Sequence, residues 1–176
     1  VITTILPIHI LYFKTIENII EEKLKLQYIT KETIFIDIAF KKYINHKNIV
    51  SIGENEQADS YYHSMSTKIS IEIKDTNKEY TINTLYHKGI NHCIAIAFTV
   101  CYYLRINVKN IISAIENFKR VNGRFSIHHL KSGGIIINDC WNSGHASVML
   151  KSIEAFQQFP TNKKKIMVLA DMLEQG

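Results

Sequence analysis

The sequence predicts an α/β protein. Three observations carry this: short β-branched runs spaced along the chain, amphipathic segments at helical spacing between them, and a strand–helix–strand pattern over the last sixty residues. Val1–Ile8 is an apolar run broken by Pro7 and reads as a buried strand leading into His9. Thr15–Leu26 reads as a helix, with Ile16, Ile19, Ile20, Lys23 and Leu24 on one face. Thr33–Ala39 and Ile49–Gly53 read as strands, and Gly53–Ser60 as a polar loop. Thr67–Ile73 and Glu79–Thr84 alternate apolar with polar residues, the pattern of a hairpin turning at Asp75–Lys78. Gly89–Leu104 is a mostly apolar helix. Val108–Phe118 is amphipathic, with Asn107 as its N-cap.

The polar segment Lys119–Gly123 is the natural boundary between a first unit, residues 1–119, and a second, residues 120–176. In the second unit the apolar runs Gly134–Asp139 and Lys165–Asp171 flank the helical pattern Ser147–Gln158. A βαβ unit makes two such strands parallel. Ligands of such sheets bind beyond the carboxyl ends of the strands, where Asp139 and Asp171 stand.

Composition narrows the function classes. The 176 residues are 46% hydrophobic and carry a net charge of +5. Lysines are spread along the chain without a long basic run, which argues against a nucleic-acid partner. No stretch is apolar enough to span a bilayer. Three cysteines without C-x-x-C spacing argue against disulfides and zinc and fit a reducing, cytoplasmic setting. The chain opens without Met inside a strand-like run, so a piece of a longer protein is expected.

Several side chains are candidates for chemistry. Lys23 lies on an apolar helix face, where burial favours a neutral amine that can take up carbon dioxide as a carbamate. The alternative is a lysine whose stem lies along the stripe while its ammonium reaches water. His9 can ligate a metal or shape a turn. Asp139 can accept a ribose hydroxyl or cap a helix. Arg124 suits a phosphate, and Asn142 follows Asp139 closely in the same loop as Trp141 and His145. No G-x-x-x-x-G-K-[ST] phosphate loop occurs in these residues.

The motifs resemble those of the Mur ligases of peptidoglycan synthesis, in order along essentially all of residues 1–176. V-I-T-T-I-L-P-I-H is similar to V-I-T-N-I-G-P-A-H, and T-I-E-N-I-I-E-E-K to the helix bearing the family's carbamylated lysine. N-F-K-R-V-N-G-R-F resembles the hinge N-F-x-P-V-x-G-R-M, I-I-N-D-C-W-N-S resembles I-I-D-D-S-Y-N-A, and V-L-A-D-M-L-E-Q-G resembles V-L-G-D-M-L-E-L-G. The last three together are the specific part, and they lie nearest the D-alanyl-D-alanine-adding branch.

The resemblance implies the family's central α/β domain without its phosphate-loop part, followed by the start of a Rossmann-like C-terminal domain. It implies an ATP- and Mg2+-dependent ligase joining D-alanyl-D-alanine to UDP-N-acetylmuramoyl-tripeptide in the cytoplasm. His9 and Lys23, as a carbamate, would then be magnesium-associated. Arg124, Asp139 and Asn142 would face the nucleotide. The chain also departs from the pattern. Thr4, Leu6 and Ile8 replace Asn, Gly and Ala; Lys25 replaces a usual Glu; and Cys93 falls close to a usual Asn. S-G-H-A-S replaces A-N-P-D-S after Asn142, removing a carboxylate. Without the phosphate loop this chain alone is expected to be inactive. A non-catalytic remnant or binding module, or a related ligase of different substrate, is the alternative.

Overall fold

The computed structural model describes residues 1–7, 10–65, 67–83, 88–140 and 146–170. Its main body is a five-stranded sheet in the order β1 (Ile34–Asp37), β2 (Ile49–Gly53), β3 (Ser60–Ser64), β4 (Lys68–Ile73), β5 (Lys78–Asn83). The first three strands run parallel and the last two are added antiparallel. Beyond β1, a single parallel bridge joins Ile2 to Ile36, so the expected strand Val1–Ile8 is reduced to one contact over the described residues.

Period-2 alternation sorts the sheet residues to two faces. Ile34 and Ile36 pack with Ile2, Ile5, Ile19 and Leu24 beneath helices α1 (Ile10–Phe13) and α2 (Ile16–Leu24), and the short α3 (Leu26–Ile29), with no buried residue, follows. Phe35, Ile52, Ile69, Ile71, Ile73 and Ile82 instead meet Ala95, Ile96 and Phe98 of α4 (Lys88–Tyr103) and Ile111 of α5 (Val108–Glu116). Across this interface the buried hydroxyls of Ser60 and Thr99 lie 2.6 Å apart, pairing two polar groups that have no water to turn to.

Local chemistry sets the boundaries. The Thr15 hydroxyl accepts from the Asn18 amide at the start of α2, and the Asn107 side chain accepts from the Lys109 amide at the start of α5. The expected strand Thr33–Ala39 stops early because the Asp37 carboxylate accepts from the Ala39 amide and caps a 3-10 turn, Ile38–Tyr43. The β4–β5 connection is tighter than expected: a 3-10 turn at Lys74–Thr76, then Asn77 at φ +49°.

The second unit departs most from expectation. Strand β7 (Ile135–Asn138) pairs antiparallel with β6 (Ser126–His129), and α6 (Ala146–Gln158) follows. The expected parallel partner, Lys165–Asp171, forms no strand over its described residues, and Val168 there is 90% exposed. The hairpin closes through a short turn. The Leu130 amide donates to the Gly134 carbonyl at 2.9 Å, and Gly133 takes the left-handed φ of +78° that the turn requires.

Candidate functional site at the carboxyl edge of the sheet

The carboxyl ends of β1, β2 and β3 bring polar side chains to one edge: Asp37, Glu54 and Ser64. The first turns of α4 lie over this edge and add Asn91 and His92. The Asn91 side-chain amide donates to the Ser64 hydroxyl at 2.8 Å, and that hydroxyl donates to Glu54 at 3.3 Å. His92 sits between Tyr62 and Asp37, with Nδ1 3.2 Å from the Tyr62 hydroxyl and Nε2 3.3 Å from the Asp37 carboxylate. A tyrosine hydroxyl donating to Nδ1 leaves the ring proton on Nε2, facing Asp37.

Helix α6 crosses this edge. Its Lys151, Glu154, Ala155 and Gln158 close a cleft of about 170 Å³ against Glu54, Tyr62 and His92. Among the described residues two buried polar atoms here, Asn91 Oδ1 and His92 Nε2, have no hydrogen-bond partner; the Asp37 contact is close but not aligned as a hydrogen bond. Buried polar atoms in this state are where a polar ligand completes a site. Burial pushes the His92 pKa down, and nearby Lys151 adds to this against the opposing pull of Asp37 and Glu54. The ring is therefore biased to its neutral form, able to hydrogen-bond without carrying charge.

A second polar corner joins this cleft through the same helix. Asp139, just past β7, accepts from the Phe125 amide at 2.9 Å and from the Ser152 hydroxyl of α6. Arg124, next to Phe125 in sequence, is exposed on the turn that precedes β6. Because Ser152 adjoins Lys151, α6 links the Asp139 corner to the His92 cleft.

The residues expected from sequence are thus distributed unevenly. Arg124 lies on the turn before β6, next to Phe125, whose amide donates to Asp139. Lys23 is exposed, in keeping with the reading of a lysine whose ammonium reaches water. The cluster of Ile2, Ile5, Ile34 and Ile36 covers α2 over Ile19 and Leu24 and stops short of Lys23, whose stem lets the ammonium leave the stripe. His9, Asn142, Asp171, Trp141 and His145 lie outside the described residues. Sequence reasoning missed Glu54, Tyr62 and His92. The signal was available for Asp37 and Glu54, which are strand-end carboxylates like Asp139, but His92 is placed only by the packing of α4. Among the described residues no group of three or more His, Cys, Asp or Glu side chains can hold a metal ion.

No family model and no curated protein matches the chain in sequence. Solved structures do match it. MurF ligase from Thermotoga maritima in complex with ADP aligns with a TM-score of 0.67 and 26% identity, covering 85% of this chain and 36% of that one. MurF from Acinetobacter baumannii aligns with a TM-score of 0.70 at 14% identity, over 88% of this chain and 36% of that one. A pseudomurein peptide ligase type C from Methanothermus fervidus aligns at 0.61 and 15%, over 86% and 39%. The chain spans a little over a third of the length of these proteins. Its mixed α/β architecture, with a sheet parallel at β1–β3 and a smaller second unit, is the fold of the Mur ligases.

Proposed function

We propose that this chain is part of an ATP-dependent amide ligase of the Mur type, one that adds D-alanyl-D-alanine to UDP-N-acetylmuramoyl-tripeptide in the cytoplasm. The observation that carries the proposal is the 26% identity to the ADP-bound MurF over 85% of the chain, together with the D-alanyl-D-alanine-branch motifs. Residues 1–119 correspond in this reading to most of the central domain and residues 120–176 to the start of the C-terminal domain.

When bound, ATP supplies the phosphoryl group that turns the peptide's terminal carboxylate into an acyl phosphate, which the incoming amine attacks. The chain's own residues contribute binding and orientation. Asp139 is held by two hydrogen bonds and keeps acceptor capacity for a ribose hydroxyl. Arg124 offers a planar fork to phosphate oxygens. Asn142 would face the nucleotide from the loop that follows. The unpartnered atoms of Asn91 and His92 offer further polar contacts to a ligand in the cleft. Magnesium rests on the resemblance, with His9 and carbamylated Lys23 as the groups that would hold it.

The test uses the whole protein that contains this chain. Phosphate release from ATP should require both UDP-N-acetylmuramoyl-tripeptide and D-alanyl-D-alanine. A second reading, a Mur-type ligase of another substrate, is favoured by S-G-H-A-S after Asn142. Faster release with a different amino acid or precursor would select it.

A further inference from the structure

A second cavity, about 950 Å³ in volume, lies between α4, α5 and β6 and shares no lining residue with the His92 cleft. Its walls are aliphatic and aromatic, among them Ile90, Ile94, Ile106, Ile111, Ile115 and Phe118. Ala97 in α4 and Ala114 in α5, small side chains in the two helical walls, leave the space open. The volume lies at the upper end of the range for small-molecule sites, and the pairing of apolar walls with a few polar groups is what such sites share.

The polar groups are not balanced in charge. Among the described lining residues Lys119 and Arg120 stand against one carboxylate, Glu116, and Arg120 also donates to the Phe125 carbonyl at 3.4 Å and lies over the Phe125 ring. That carboxylate is already engaged, accepting from the Asn83 amide at 3.0 Å and from its side chain at 2.7 Å. A ligand meeting this cavity therefore finds an apolar trench with a cationic end. We propose that it binds a linear aliphatic carboxylate, its tail along the isoleucine walls and its carboxylate at Lys119 and Arg120. Lys119, Arg120 and Asn122 belong to the segment joining α5 to β6, so an occupant would brace the two-stranded sheet against the helices.

This test, too, uses the whole protein that contains the chain. Calorimetric titration with decanoate should show saturable one-to-one binding, and 1-decanol should bind about fivefold more weakly for want of the charge. Lys119→Gln should weaken decanoate by a similar factor and leave decanol unchanged. Ala114→Phe should abolish binding of both; if that variant does not fold, Ala97→Leu carries the same test. Decanoate should also slow alkylation of Cys93 and Cys101, which line the cavity, and not of Cys140, which is outside it. Absence of saturable binding, full binding after the trench is filled, or unprotected Cys93 and Cys101 would each overturn the proposal. None of these outcomes bears on the ligase reading, which rests on the structural match and the sequence motifs.

Discussion

The Asp139 carboxylate accepts the backbone amide of Phe125 at 2.9 Å, and Phe125 holds a left-handed φ of +51°. A bulky residue in that region is strained and persists only where its surroundings fix it. Here the ring is buried, with the Arg120 guanidinium 5.3 Å from its centroid, and the amide is pinned by Asp139. One carboxylate thus shapes the hinge turn that carries Arg124.

This dual position separates two roles for Asp139. Asp139→Ala removes the acceptor for Phe125 and should destabilise the chain by about 1–3 kcal/mol in urea unfolding. Asp139→Asn keeps an oxygen for the Phe125 amide, so stability should change by less than about 1 kcal/mol. If the charge also serves the nucleotide, the Asn variant of the whole protein should still lose ATP affinity. Unchanged affinity in a folded Asn variant would restrict Asp139 to the turn.

The His92 cleft makes a prediction about pH. Burial lowers the ring's folded pKa below its unfolded value, so the unfolded chain binds the proton more readily. The contribution of neutral His92 to stability is complete above the unfolded pKa, about 6.5, and is lost as pH falls through the folded one. Lys151→Met should raise the ring's midpoint, and Asp37→Asn should lower it, as followed by NMR of the imidazole Cε1–H. An unmoved midpoint in Lys151→Met would mean that α6 does not sit over the ring, and one in Asp37→Asn that the carboxylate does not face it.

Asp59 provides an acid-side test. Burial pushes its carboxyl up, but hydrogen bonds from the Ser51 hydroxyl and amide, joined by Lys41, outweigh this and hold it below the usual range. A depressed carboxyl stabilises above its unfolded pKa, about 3.9, and that stability disappears as pH falls through the folded value. Asp59→Asn should therefore flatten the loss of stability below pH of about 4, measured by thermal unfolding across a pH series.

Gly53 ends β2 where space is short. A Cβ there would meet Ile38 Cγ2 at 2.5 Å, and Ile38 is β-branched and stiff. Gly53→Ala should cost about 1–3 kcal/mol, read from the urea midpoint at unchanged slope. The same edge carries Glu54, so the variant should also disturb the cleft.

What the sequence makes legible follows burial. The α2, α4 and α5 helices and the β4–β5 hairpin appear in it because one face of each is consistently apolar. Strand β3 does not, because S-Y-Y-H-S has no apolar alternation and only Tyr62 of its large side chains is buried. Strand β6, S-I-H-H, hides for the same reason, so the hairpin it forms with β7 was not read. Arg124 and Asp139 were legible as strand-end and hinge residues. His92 was not, since its partners Tyr62 and Asp37 are 30 and 55 residues away and meet only when the sheet forms.

Lys23 offers a sharper probe of the ligase reading than its exposure alone. If it acts as a carbamate, Lys23→Ala in the whole protein should cut activity, with partial rescue by added short carboxylates. Full activity in the Ala variant would retire the role.

The most direct measurement is the product itself. The whole protein, given ATP, UDP-N-acetylmuramoyl-tripeptide and D-alanyl-D-alanine, should yield by mass spectrometry the UDP-linked pentapeptide, with one ADP and one phosphate formed per bond. Omitting any one substrate should abolish it. No pentapeptide, with ATP left intact or hydrolysed regardless of the peptide substrates, would contradict the account.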